Sequence, residues 1–318
     1  MLMLVRAFTC AALLASLPAW AEDRSVRILV GFPPGGAADL VARLVAERMK
    51  VALAANVLVD NRPGGAGQLA ARLLKAAPAD GKTLMLAPPA PIVWATLTNP
   101  ALDYDPQRDF APVSLAASFD LALITGPGVP ATSFPDYVSW AKEDPRRRNY
   151  GTGAGGLPHL FGILLGRSIG VELSHVGYKG GAQLLKDVAG GHIPAGISVL
   201  AEAIPLHQAG RVRILATSGS GRFSRVPDVP TFSELGLPNI TGGGWMAFFV
   251  PAATPAASIR QLSDVIAGAM NAPEVKERLL LLGFEPVGSS PEKLATRIQE
   301  DTAKWGPIAR DAALAATR

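Results

Sequence analysis

A single cysteine, Cys10, occurs in 318 residues, and it lies in a segment the sequence marks for removal. A mature chain without cysteine can neither be stapled by disulfides nor use a thiol as nucleophile or metal ligand. Histidine is almost as scarce. His159, His175, His192 and His207 are scattered without metal-ligand spacing, so no resident metal is expected. An excess of one charge is missing too: 30 Lys and Arg against 26 Asp and Glu leave a formal +4, or +3 once Arg6 is gone. The one basic cluster, "KEDPRRRNY", carries Arg146, Arg147 and Arg148 after Pro145. Neither aromatics nor glycines interleave it, so it reads as a solvated loop, and no nucleic acid is expected as partner. Catalytic signatures are absent as well. No H-E-x-x-H or G-x-x-x-x-G-K-[ST] occurs, and "TSGSG" has Thr217 where a nucleophile elbow needs glycine. No catalytic residue, no metal and no cofactor are expected.

What is present begins with an export signal. Arg6 supplies a positive n-region, and "AFTCAALLASLPAW" is an apolar stretch too short to span a bilayer. Ala19-Trp20-Ala21 is an A-x-A cleavage site, which predicts a periplasmic protein cut after Ala21. About 300 remaining residues are long for one core, which favours two lobes.

Glycine and proline are plentiful, at 33 and 27 residues, and their placement is regular. "VRILVGF" reads as a buried strand, "PPGGAAD" as a loop, and Leu40, Val41, Leu44, Val45 and Met49 recur at helical spacing. The scheme repeats in "NVLVDN", "RPGGAG", "QLAARLLKAA", and in "KTLMLAP" followed by "PPAP". It returns in "RNYGTGAGGLPHLFGILLG" and in "LSHVGYKGGAQLLKDVAGG". Alternating strands and helices predict an α/β fold with mainly parallel sheets flanked by helices. Towards the C-terminus helices dominate. Thr254 is a candidate N-cap with Pro255 at the first helical position, and Thr231 with Glu234 forms a capping box.

In such sheets ligands bind outside the carboxyl ends of the strands, where loops enter helices. A helix N-terminus offers unpaired N–H groups and about half a positive charge. Glycine lets that backbone approach a ligand closely. Several loops of this kind predict a site for anionic oxygens that needs no Arg or Lys. No acid stands where a nucleotide ribose would require it, which disfavours a dinucleotide, and a carboxylate fits the loops equally well. Asp39, in the first turn after the opening loop, reads as a dipole complement. His159, at a helix start after "GTGAGGLP", is the histidine best placed to reach a ligand.

Seven segments in register resemble the Bug family, the extracytoplasmic substrate-binding receptors of tripartite tricarboxylate transporters. They are "GFPPGGAAD", "VDNRPGGAG", "YDPQRDFAPV", "HVGYKGG", "AGRVRILATS", "PDVPTFSELG" and "WMAFFVPAATP". The resemblance implies a type II periplasmic-binding-protein fold, a Venus flytrap. Residues 22–123 and 247–318 would form one lobe and residues 124–246 the other, hinged near Ile124 and Met246. It implies a ligand carboxylate held by main-chain N–H groups. Gly35, Gly36, Ala37 and Ala38 would contribute from the first loop, with Asp39 beside them. Gly65, Ala66 and Gly67 would come from the second loop, and Ala87 and Pro88 from the third. Thr152, Gly153, Gly156, His159, Lys179 and Ser198 would face them from the other lobe.

The departures from the family pattern bear on specificity. "APPAP" replaces Ser or Thr, Gly177 replaces a frequent proline, and Ser198 stands where an Asp often does. Together they point to a carboxylate with an apolar or aromatic body. The implied role is a monomeric receptor delivering its ligand to integral membrane permease subunits. A sensory protein for a membrane kinase is the alternative. An exported enzyme using Asp39 or His159 is disfavoured, because no nucleophile–base pair is evident.

Overall fold

The computed structural model describes residues 25–99, 101–153, 156–178 and 180–316. The expected signal segment and Lys179 lie outside these residues. In chain order the elements are β1 (Ser25–Val30), α1 (Ala37–Leu53), β2 (Asn56–Asn61), α2 (Gln68–Lys75) and β3 (Thr83–Ala87). Then come α3 (Ala95–Thr98), α4 (Pro106–Asp109), β4 (Phe110–Phe119), β5 (Leu121–Thr125), α5 (Phe134–Glu143) and β6 (Asn149–Gly153). After α6 (Leu157–Ile169) follow β7 (Ser174–Tyr178), α7 (Gly181–Ala189), β8 (Ala195–Val199), α8 (Leu200–Gln208) and β9 (Arg213–Thr217). The chain ends with β10 (Gly244–Pro251), α9 (Ala256–Asn271), α10 (Pro273–Leu281), β11 (Glu285–Pro286) and α11 (Pro291–Ala316).

Two sheets result, ordered β11-β4-β10-β3-β1-β2 and β7-β6-β8-β5-β9. Both are mixed. β1 runs parallel to β2 and β3, and β6 runs parallel to β7 and β8. These are the halves that carry the glycine loops. β4 and β10 pair antiparallel because the chain leaves the first sheet along one and returns along the other. β5 and β9 do the corresponding work in the second sheet. The outward passage is a single residue, Asp120, between β4 and β5. The return uses residues 218–243. The expected boundaries at 123/124 and 246/247 therefore fall inside β5 and β10.

One apolar cluster fills the first sheet beneath α1 and α9, with Ile28, Val41, Val45, Met49, Leu86, Phe248 and Ile266. A second lies under α7 and α8, with Ile124, Leu184, Val188, Ile204 and Ile214. A third joins the two sheets. Its axis is Trp305 of α11, whose ring lies 6.3 Å from Trp94 and 6.4 Å from Phe161. Trp245 donates its indole N–H to Asp301 Oδ2 at 2.7 Å, and Lys304 Nζ donates to the Thr241 carbonyl. So α11 starts beside β4 and ends against α6, although the sequence-based division places it wholly with the first sheet.

Local signals behave as short-range physics requires. The Thr231–Glu234 box closes reciprocally, at 2.7 and 3.2 Å. α9 starts one residue later than expected, at Ala256. Pro255, with φ −56° and ψ 137°, takes the cap position, and the Thr254 hydroxyl is buried without a hydrogen-bond partner among the described residues, so it does not cap the helix. The arginine cluster is tied down locally. Arg146 pairs with Asp144, Arg147 with Glu143, and Arg148 donates to the Ala141 carbonyl.

Candidate functional site

The registers place the loops. β3 ends at Ala87, opposite Ala247 of β10, and Gly244, the first residue of β10, pairs with Phe119 at the end of β4. The carboxyl ends of β1, β2 and β3 thus lie on the edge where the chain crosses. In the second sheet Val199, the last residue of β8, pairs with Leu121, the first of β5. The carboxyl ends of β6, β7 and β8 therefore lie on the crossing edge too. The two sets of loops face each other from adjoining sheet edges, the arrangement in which ligands bind in α/β folds.

On the first sheet the loops are packed together by glycine. A methyl group on Gly31 would lie 2.5 Å from the Gly67 Cα. One on Gly67 would lie 3.1 Å from Pro91 Cγ and 3.4 Å from Phe32. Gly65, Ala66 and Gly67 all have positive φ, at 56°, 52° and 95°. Ala66 is a non-glycine residue in left-handed geometry, which costs about 1 kcal/mol and is retained only where the surroundings enforce it. Among the described residues the N–H groups of Ala37, Ala38, Gly65 and Ala66 have no acceptor. These are four backbone donors on two adjacent loops, two of them at the positive end of α1.

Asp39 is 2% exposed and fully engaged. Oδ2 accepts from the Gly35 N–H at 2.9 Å and Arg43 Nε at 2.9 Å, and Oδ1 accepts from Asn61 Nδ2 at 3.0 Å. Asn61 also donates to the Phe32 carbonyl at 3.1 Å. Burial opposes ionisation here. The hydrogen bonds from Arg43, Gly35 and Asn61 outweigh it and hold the carboxyl below its ordinary range. Asp39 thus staples the first loop to α1 and β2. It also takes up the Gly35 N–H, which leaves the donor role to Ala37 and Ala38.

On the second sheet, Thr152 is buried in β6, and its Oγ1 lies 2.7 Å from His175 Nε2 of β7. The rings of His159 and His175 stack with centroids 3.9 Å apart. Desolvation lowers both histidines. His175, which also feels His159, falls to about 4. Gly156 caps α6, and the His159 N–H bonds its carbonyl at 3.1 Å. Thr152 and His159 thus belong to a stacked polar cluster at the base of the α6 loop.

A histidine lowered in the folded state binds protons more readily when unfolded, so its contribution is complete above the unfolded value near 6.5. It is lost as pH falls towards 4. Stability should therefore drop through that window by at most roughly 3 kcal/mol, and by less because part of the ring reaches solvent. Denaturant titrations at pH 7.5, 5.5 and 4 should show the slope in the wild type and a flatter one in His175→Asn. Equal slopes would remove His175 as its source.

Ser198, on β8, is 3% exposed and does not present its hydroxyl to solvent. It donates to Glu202 Oε2 at 3.0 Å. Glu202, in the first turn of α8, is the side chain that reaches the open edge. Its carboxyl is raised by desolvation, which the Ser198 hydrogen bond only partly offsets. Sequence reading passed over Glu202. No periodic signal marks the pair, because the i, i+4 rule holds within one helix and Ser198 lies in β8 while Glu202 lies in α8. Of the expected residues, Gly35, Gly36, Ala37, Ala38, Gly65, Ala66, Gly67, Ala87 and Pro88 lie on the loops of the first sheet. Thr152, Gly153, Gly156, His159 and Ser198 lie at the facing edge.

Among the described residues no helix is long and apolar enough to cross a membrane. The signature of the tripartite tricarboxylate transporter family receptor matches residues 41–314. A UPF0065 protein from the tcbD–tcbE intergenic region of Pseudomonas sp. strain P51 is 32% identical, over 89% of this chain and 84% of that protein. BugT of Bordetella pertussis is 28% identical, over 91% and 89%. Two solved structures from Rhodopseudomonas palustris carry ligands. Rpa4515 with adipate superposes with a TM-score of 0.81 at 32% identity, covering 92% of this chain and 97% of that one. MatC (Rpa3494) with bound malate superposes with a TM-score of 0.77 at 29% identity, covering 91% and 99%.

Proposed function

Because the chain belongs to the tripartite tricarboxylate transporter receptor family, a family of periplasmic substrate-binding receptors and not of enzymes, we propose that it captures a small organic carboxylate between its two lobes and delivers it to permease subunits in the membrane. The observation that carries this reading is the set of backbone donors without acceptors at Ala37, Ala38, Gly65 and Ala66, facing the loops of the second sheet. Such donors bind carboxylate oxygens without a cationic side chain. The adipate and malate held by the two related structures support the ligand class. Each lobe offers half of the contacts, so ligand favours a closed arrangement, with Asp120 and the segment 218–243 as the hinge.

Melting the mature protein against mono-, di-, tri- and aromatic carboxylates tests the reading. A ligand at about 100 times its dissociation constant adds about 2.7 kcal/mol, which for a chain of this size raises the melting temperature by roughly 4 °C. A shift with sugars or plain amines and none with any carboxylate would overturn it.

A further inference from the structure

The crossing strands divide each sheet into two flanks. In the first sheet β3, β1 and β2, with the site loops, lie on one side of β4 and β10, and β11 lies on the other. In the second sheet β8, β6 and β7 lie on the site side of β5, and β9 lies on the other. The flank away from the site also joins the two lobes. The turn from α10 into β11 is fixed to the first lobe: Phe284 is buried in its core, with its ring 5.8 Å from that of Phe119. Arg225, in the return segment, is fixed to the second lobe. Its neighbours Phe223, Val226 and Val229 are buried in the cluster under α7 and α8.

Two contacts span this flank. Arg225 Nη1 donates to the Leu281 carbonyl at 2.6 Å. Leu281 ends α10, where carbonyls lack intrahelical partners and the helix dipole favours a cation. The Leu279 and Leu280 carbonyls are taken by the N–H groups of Phe284 and Gly283, which leaves that of Leu281 to the arginine. Beside it, Gly283 rests on Ala201 in the first turn of α8. A methyl group on Gly283 would lie 2.4 Å from the Ala201 Cβ and 2.6 Å from its Cα. This second contact has no slack. The flank cannot narrow further, but it can widen once Arg225 lets go.

We propose that the α10–β11 turn is a latch behind the hinge, which holds the lobes apart at the site and so sets ligand affinity from outside the cleft. This deepens the receptor reading and rests on it. A rotation about the crossing that brings the site loops together moves the opposite flank apart, as the two arms of a lever move. Closure therefore breaks the hydrogen bond from Arg225 to Leu281 and lifts Gly283 off Ala201. Further opening stops where Gly283 meets Ala201. The affinity measured for a ligand is that of the closed form scaled by the fraction of protein that has reached it. A bond made only in the open form thus weakens binding without touching the ligand.

Small-angle scattering of the ligand-free protein reads the lobes, and calorimetry reads the affinity. The probes are adipate, malate and any carboxylate that raises the melting temperature in the screen. Arg225→Ala removes the bond. Ala201→Leu inserts a wedge at a position that is only partly buried. Both should reduce the radius of gyration of the free protein and tighten binding. For Arg225→Ala the gain should be about threefold to fivefold, as for one solvent-exposed hydrogen bond. Arg225→Lys keeps a cationic donor and should stay near the wild type in both readouts. A merely structural role would lower the melting temperature and leave affinity unchanged or weaker. Unchanged or weaker binding in Arg225→Ala and Ala201→Leu, with the radius unmoved, overturns the latch and leaves the receptor reading intact. No heat with any probe and no carboxylate response in the melting screen overturns the receptor reading, and the latch with it as a control of affinity.

Discussion

Gly36→Asp should abolish ligand capture and leave the melting temperature unchanged or slightly higher. Gly36 is the N-cap of α1, with φ −79° and ψ 173°, and no side chain caps that helix. This is extended backbone that any residue adopts. A methyl group at Gly36 meets only the Pro33 carbonyl, at 3.4 Å. Aspartate is a preferred N-cap and its charge suits the helix dipole, so the helix gains a few tenths of a kcal/mol over glycine. The same geometry defeats the ligand. The new carboxylate accepts from the first-turn N–H groups that would have met the incoming one. Two like charges about 5 Å apart at an effective dielectric near 20 repel by roughly 3 kcal/mol, a loss of more than a hundredfold in affinity. Calorimetry beside a thermal melt reads both arms. A folded Gly36→Asp protein with wild-type affinity would remove the first loop from the site. The neighbouring position makes the contrast. Gly35 has φ +81°, so aspartate there strains the backbone by about 1 kcal/mol, and a loss of binding would be mixed with a loss of fold.

The second large effect is on stability and comes from the crossing. A Cβ on Gly243 would overlap the carbonyl oxygen of Phe119 and lie 2.9 Å from the Asp120 Cα. Both obstacles are backbone, so no rotamer relieves them, and the two crossing strands would have to separate. Arg297 Nη2 donates to the Gly243 carbonyl at 3.1 Å, which couples any shift to α11. Gly243→Ala should therefore cost about 1–3 kcal/mol, the usual range for forced overpacking. Denaturant midpoints should fall accordingly. If the outward and return passages form the hinge, the variant should also change how far ligand compacts the protein in small-angle scattering. A midpoint within error of the wild type would mean that the crossing is looser than its contacts imply.

Much of this protein is written at short range. Alternating β-branched runs and 3.6-residue apolar stripes define β1 to β3 and α1 to α2, because each needs only its own neighbours to decide which face is buried. The glycine loops were legible for the same reason: a strand handing over to a helix must turn, and glycine marks the turn. The Thr231–Glu234 box spans four residues and closed as its spacing requires. The resemblance of seven segments in register carried the two-lobed fold.

What only the tertiary structure decided depends on partners far apart in sequence. Both Gly35 and Gly36 could have taken the left-handed turn. Asp39 settled it by binding the Gly35 N–H while held by Asn61, 22 residues on. The mixed sheets follow from β10 returning beside β4 after an excursion of more than 100 residues, which no local pattern encodes. α11 lies across both sheets because Trp305 finds Trp94 and Phe161, residues with no periodic relation to it. Ser198 drew attention by its position, yet its hydroxyl is turned to Glu202, whose carboxylate occupies space that a side chain at Gly181 of another loop would take. Periodicity reports which side of an element is buried. Which atoms then meet at the site is set by non-local packing, where one hydrogen bond or one absent methyl decides between neighbours the sequence cannot rank.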